Sequence, residues 1–183
     1  GCVITGSLIV RDGAQCYNRL VWARPDGSTD HYDKRHLFRV AGEQDNFVPG
    51  SRRVVIEAKG WRVCPMICYD LRFPVWSRSR GDYDLLLYVA NWPQRRAHAW
   101  SSLLRARAIE NLSYVVGVNR IGRDGNGVVY AGDSVALDFL GQPLSSGGGG
   151  DRVETVVLDR EALAGYRNSF PAHLDADRYE LFA

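Results

Sequence analysis

The run at 84–91, "DLLLYVAN", constrains the fold most, because its interior is apolar at every position and has no face to give to water. A strand of that kind needs cover above and below, so it belongs at the centre of a sheet with a packed layer on each side. Cover for one side follows directly in sequence. In "HAWSSLLRARAIEN", Trp100, Leu103, Leu104 and Ala108 fall on one helical stripe. "SYVVGVNRIG" then reads as another buried strand, with "RDGNG" as a turn after it.

The first third of the chain has a different rhythm. "CVITGSLIV", "CYNRLVWA" and "TDHYDKRHLF" are β-type runs separated by "RDGAQ" and "RPDGS", the pattern of a strand meander. From 39 to 50 the sequence is polar and irregular, long enough for a functional loop. "RRVVIEA", the turn "KG" and "WRVCPMIC" form a hairpin that ends on Cys68, and Pro74 in "FPVWSRSRGD" suits the first turn of a short helix. "SVALDFLG" and "VETVVLD" are expected to pair across a surface loop, "SSGGGG", and a helix is expected to begin near Asp159.

Strands outnumber helices and helices follow strands, which gives a mixed α and β class. No internal repeat or linker interrupts residues 1–183, so a single domain is expected. With 45% hydrophobic residues in 183, the chain can bury a substantial core. Its 23 Lys and Arg against 21 Asp and Glu leave a charge of +2, too balanced for a nucleic-acid or membrane surface. The six-residue run "LLLYVA" is far short of a membrane span. Four cysteines, at 2, 16, 64 and 68, lie without histidines at zinc-ligand spacing, so they are read as reduced thiols and no metal is expected.

Two residues at strand ends carry chemical promise. Cys68 is either a packed core thiol or a nucleophile on a strand-to-helix turn. Lys34, just before the irregular loop, is either solvated or a source of positive charge that lowers the thiol's pKa.

"YDKRHLF", "GEQDNFVPG", "ICYDLRFPVWSR", "LYVANWP" and "RARAIEN" together resemble, in order and spacing, the motifs of the carbon-nitrogen hydrolase (nitrilase) superfamily. The tail "YRNSFPAHLDADRYEL" and the pairing of "HLFR" with "CYDLRFPVWSR" are most similar to bacterial omega-amidases that hydrolyse 2-oxoglutaramate. The resemblance implies an α+β fold, a four-layer α-β-β-α sandwich lacking its N-terminal strands and helix. It implies Cys68 as nucleophile, Lys34 as the triad lysine, Glu43 in "AGEQ" as the second glutamate, and the N–H of Tyr69 as an oxyanion donor. Asn91 and Trp92 fall where the family lines its substrate pocket.

The same resemblance implies a small-molecule amide substrate, no cofactor, a cytoplasmic homodimer, and a general-base glutamate inside a Pro-Glu pair. No Pro-Glu pair occurs in residues 1–183, and the first residue is Gly1, so the expectation is a piece of a longer enzyme that turns over amides poorly by itself. Alternative readings are an N-carbamoyl or aliphatic amide hydrolase on the same scaffold, or a non-catalytic binding protein.

The remaining residues divide by chemistry. Arg72 suits a carboxylate clamp or a tie to Asp70 or the helix start. Cys64, deeper in the same strand, is expected to be inert, His36 and His98 are assigned to loop or helix surface, and Glu110 to a support role for Lys34 or the cysteine loop.

Overall fold

The computed structural model describes residues 1–145 and 150–181; most of the "SSGGGG" loop lies outside the described residues. β1 (Ile4–Asp12), β2 (Gln15–Ala23) and β3 (Thr29–Asp33) form the meander as a three-stranded antiparallel sheet. β4 (Ile56–Ala58) and β5 (Trp61–Ile67) form the hairpin, closed by Lys59 and Gly60, both at positive φ as a tight two-residue turn demands.

β6 (Leu85–Ala90) lies between β5 and β7 (Tyr114–Asn119), parallel to both, and β10 (Val135–Leu137) closes the far edge antiparallel. The central position inferred from "DLLLYVAN" is therefore the observed one. β8 (Ile121–Arg123) and β9 (Val129–Ala131) make a separate small hairpin. The helices are α1 (Glu43–Asn46), α2 (Pro74–Ser77), α3 (Ala97–Asn111) and α4 (Arg160–Ser169).

Alternation along the central strands builds the layers. Cys64, Met66, Leu86, Tyr88 and Val115 pack with Trp100, Leu104 and Ala108 of α3, while Val63 and Leu87 pack with Trp22 of the three-stranded sheet. Helix, five-stranded sheet and three-stranded sheet thus stack in order, the arrangement of an α+β fold. Gly117 lets α3 approach β7: a Cβ there would lie 2.6 Å from a Leu104 methyl and 2.8 Å from the Trp100 ring. Asp159 caps α4 by accepting from the Ala162 N–H at 3.0 Å.

One expectation fails. "VETVVLD" forms no strand, and Val153 and Val157 are 96% and 86% exposed. A β-rich run does not make a strand without a ladder partner, and among the described residues the bridge outside named strands joins Leu137 of β10 to Pro143. Among the described residues no helix is long and apolar enough to cross a membrane.

Candidate active site

Because β5, β6 and β7 run parallel, their carboxyl ends open on one edge of the sheet, where loops from several strands converge. Cys68 follows β5 directly and starts a 3-10 turn over Cys68–Arg72. Its φ is +46°, a left-handed conformation that a residue with a side chain adopts only at a cost. Asn91 and Trp92 follow β6, and Lys34 follows β3. All four line one cavity of about 430 Å³, together with Glu43, Tyr69, Arg72, Arg95 and Arg96.

Lys34 is 2% exposed, and its ammonium donates to both Glu43 carboxylate oxygens, at 2.9 and 2.6 Å. A buried ammonium needs such a partner. Glu43 lies at the start of α1 rather than in irregular chain, and its Oε2 also accepts the Phe38 N–H at 2.7 Å, which fixes the carboxylate from a second side.

Cys68 donates to the Asn91 carbonyl at a sulfur-to-oxygen distance of 3.9 Å. Burial pushes its thiol pKa up, the Lys34 ammonium pulls it down, and the net displacement is upward. The expected influence of Lys34 is present, but desolvation of the sulfur outweighs it, so the resting sulfur is held as the thiol. Cys64 contrasts with it. Fully buried against the core, its thiol is pushed up to about 12 by burial, as an inert structural cysteine should be.

The turn that presents Cys68 is anchored by a residue the sequence reading passed over. Asp70 is fully buried and accepts from the Ile67 N–H at 3.0 Å, the Tyr32 hydroxyl at 2.8 Å and the His36 N–H at 3.0 Å, with the His36 ring nitrogen Nδ1 at 2.8 Å. Tyr32 and His36 flank Lys34 by two residues on either side, so one carboxylate ties the lysine segment to the cysteine turn. His36 also stacks on Phe73, with centroids 3.8 Å apart and rings nearly parallel. Its assignment to loop surface is corrected accordingly: it is a structural partner of the turn. Nothing in one sequence marks an aspartate two residues after a cysteine as a buried hub, since its partners lie 34 and 38 residues away.

Glu110 supports the cysteine turn and not Lys34. It accepts from Arg107 at 2.9 Å, and Arg107 donates to the Leu71 carbonyl at 2.7 Å. Arg72 binds neither Asp70 nor another acid among the described residues; its guanidinium lies over the Trp92 ring, 5.0 Å from the centroid. Trp92 is held by Asn119, whose side chain accepts its N–H at 2.7 Å and donates to its carbonyl at 3.1 Å. Among the described residues no group of three His, Cys, Asp or Glu side chains could hold a metal ion.

Residues 1–168 match the family model for carbon-nitrogen hydrolases. The omega-amidase YafV of Yersinia enterocolitica is 49% identical over 98% of this chain and 70% of its own length. The 2-oxoglutaramate amidase of Bacillus subtilis (strain 168) is 34% identical, over 94% of this chain and 68% of that protein. In three dimensions the chain resembles a CN-hydrolase superfamily protein of Xanthomonas campestris, solved with an arsenic adduct in its active site. The TM-score is 0.96 with 51% identity, covering 98% of this chain and 71% of that one.

Proposed function

The chain belongs to the carbon-nitrogen hydrolase family, and from that premise we propose that it is a cysteine amidohydrolase cleaving the terminal amide of a short omega-amide such as 2-oxoglutaramate. The observation that carries the reading is the shared cavity in which the Lys34 ammonium, fixed by Glu43, acts on the sulfur of Cys68.

An amide carbon is a poor electrophile and ammonia a poor leaving group, so the site has to supply a nucleophile, a sink for charge on the carbonyl oxygen and a proton route. In this reading the Cys68 sulfur adds to the amide carbon, and the developing oxyanion is met by the Lys34 ammonium and the Tyr69 N–H. Collapse of the tetrahedral intermediate breaks the C–N bond. The nitrogen leaves as ammonia with the proton taken from the thiol, and water then hydrolyses the thioester to the acid and free Cys68. Asn91 and Trp92 shape the walls, and Arg72 faces the substrate's remaining charge.

The upward-shifted thiol makes a base necessary. Among the described residues the carboxylates near the site are occupied: Glu43 by Lys34 and the Phe38 N–H, Asp70 by the turn, Glu110 by Arg107, and Asp124 by its own loop and the Tyr130 hydroxyl. The reading treats these 183 residues as one domain in which these carboxylates already hold other partners. Its cytoplasmic setting fits four free cysteines, and a homodimer is the expected assembly, readable as twice the chain mass by light scattering.

In the native gene product, Cys68→Ala abolishes ammonia release from 2-oxoglutaramate while Cys64→Ala keeps most of it. Equal losses in the two variants would count against the reading.

A further inference from the structure

Three guanidinium groups, those of Arg72, Arg95 and Arg96, line the cavity that holds Cys68. Among the described residues none of the three forms an ion pair. Elsewhere in the molecule some arginines meet carboxylates, Arg19 with Asp33, Arg53 with Asp82, Arg62 and Arg167 with Asp84, and others, such as Arg80 and Arg120, also lie over rings. At the cavity two of the three meet aromatic faces. The Arg72 guanidinium lies over Trp92, and that of Arg96 lies 5.2 Å from the centroid of Phe38. The Trp92 indole N–H donates to the Arg96 carbonyl at 2.8 Å, so the two platforms are tied together. Stacking satisfies the flat face of a guanidinium and leaves its in-plane N–H edge available to a planar anion.

The electrostatics point the same way. Burial lowers the pKa of Arg96, and repulsion from Arg95 and then Arg72 lowers it further, while Cys68 and Tyr130 offset part of the effect, so the net displacement is downward. Nearby acids are engaged otherwise. Glu43 is held by Lys34. Asp124 also lines the cavity, but its Oδ1 accepts the N–H groups of Asn126 and Val128 at 2.9 Å, and its Oδ2 accepts the Tyr130 hydroxyl at 2.9 Å.

We propose that Arg96, together with Arg95 at the cavity rim and Arg72, is the specificity-determining element that reads a 2-oxo acid head group at the end of the substrate remote from the scissile amide. The proposal rests on the amidohydrolase reading and adds which residues select its substrate. A 2-oxo acid offers a carboxylate and an adjacent ketone oxygen in one plane, more acceptor edge than one arginine fork covers. The corresponding 2-amino acid places an ammonium in that position, and three guanidiniums repel it. Glutamine is therefore rejected by charge although its amide end is the same, and a neutral aliphatic amide finds no partner for the arginines.

The test has two arms. In the native gene product, kcat/KM is measured for 2-oxoglutaramate, glutamine and butyramide, for wild type, Arg96→Ala and Arg96→Lys. The expected result is that Arg96→Ala lowers the ratio of 2-oxoglutaramate to butyramide about tenfold or more, chiefly through KM, with Arg96→Lys restoring part of it. A ratio unchanged in Arg96→Ala, with hydrolysis intact, overturns the arginine assignment and leaves the amidohydrolase reading standing.

The second arm needs no turnover. Residues 1–183 are alkylated with iodoacetate or iodoacetamide, and modification at the Cys68 peptide is read by mass spectrometry, with Cys16 as internal reference. The arginines should favour the anionic reagent at Cys68, and Arg96→Ala should reduce that preference by several fold. Preference lost in Arg96→Ala, alongside no ammonia release from any amide, keeps the anion subsite and removes the amidohydrolase reading. No preference in wild type overturns the proposal.

Discussion

Asp70 holds His36 twice, accepting from its backbone N–H at 3.0 Å and facing its Nδ1 at 2.8 Å, so a carboxylate on the cysteine turn fixes the segment that carries Lys34. Nδ1 must carry the proton to face a carboxylate, which sets the tautomer of His36. With the Ile67 N–H and the Tyr32 hydroxyl also donating, Asp70 accepts from four donors while fully buried. Asp70→Asn exchanges an acceptor oxygen for an amide that can only donate there, opposing donor to donor. We expect a loss of about 3 kcal/mol of stability, measured as a shift of the urea midpoint at constant m. A loss under about 1 kcal/mol would mean that the turn does not depend on this carboxylate.

How much of this was legible in the sequence depended on range. "DLLLYVAN" announced a covered central strand because its pattern is local, and Lys59-Gly60 announced a hairpin for the same reason. Cys68 and Lys34 stand out at strand ends, motif resemblance adds Glu43, and all three share a cavity. Asp70 and His36 do not stand out, because their value comes from partners brought together only by folding. Arg95 and Arg96 likewise look like ordinary charges before an amphipathic helix until the cavity gathers them beside Arg72. "VETVVLD" misled in the opposite direction, since its β-branched composition is strand-like while no ladder forms.

The thiol of Cys68 sets a pH dependence. Burial raises its pKa and Lys34 lowers it, with burial larger, so the fraction of thiolate at neutral pH is below that of an exposed cysteine. Alkylation of Cys68 in residues 1–183 by iodoacetamide should keep rising with pH beyond the range where an exposed thiol levels off. Lys34→Met removes the lowering contribution and should displace the profile further towards alkaline pH. A profile unmoved by Lys34→Met would show that the ammonium does not act on this sulfur.

Asp84 provides an acid-side counterpart away from the site. Burial pushes its carboxyl up, but donors from Arg62 and Arg167 outweigh burial and leave it below its ordinary value. A depressed folded-state pKa means the folded chain releases this proton more readily than the unfolded chain. The resulting stability is present above the ordinary carboxylate range and disappears as pH falls through the lowered value. Since Arg167 belongs to α4 and also donates to the carbonyls of Tyr83 and Leu112, protonation of Asp84 should loosen α4. The protection factor of the α4 amides, referred to the intrinsic exchange rate at each pH, is expected to fall in wild type as Asp84 is protonated. In Arg167→Met the exchange is expected to be fast already at neutral pH. Exchange that is equally slow in both proteins at pH 7 would detach α4 from this ion pair.

The backbone at Cys68 gives the last test, because it separates what the position costs the fold from what the sulfur does. With φ at +46°, any side chain at this position bears left-handed strain of about 1 kcal/mol or more, and glycine alone is relieved of it. Cys68→Ala and Cys68→Gly both remove the sulfur and hence any nucleophile, so neither should accept a thiol reagent at this position. Their stabilities should differ in the unusual order. Alanine ordinarily exceeds glycine by roughly 0.5–1 kcal/mol in regular structure, whereas here Cys68→Gly is expected to exceed Cys68→Ala by about 1 kcal/mol in thermal or urea unfolding. The reverse order would indicate that the turn relaxes once the sulfur is gone, and that the left-handed geometry is a consequence of the thiol's packing against Asn91 and not a condition imposed by the Asp70-anchored turn.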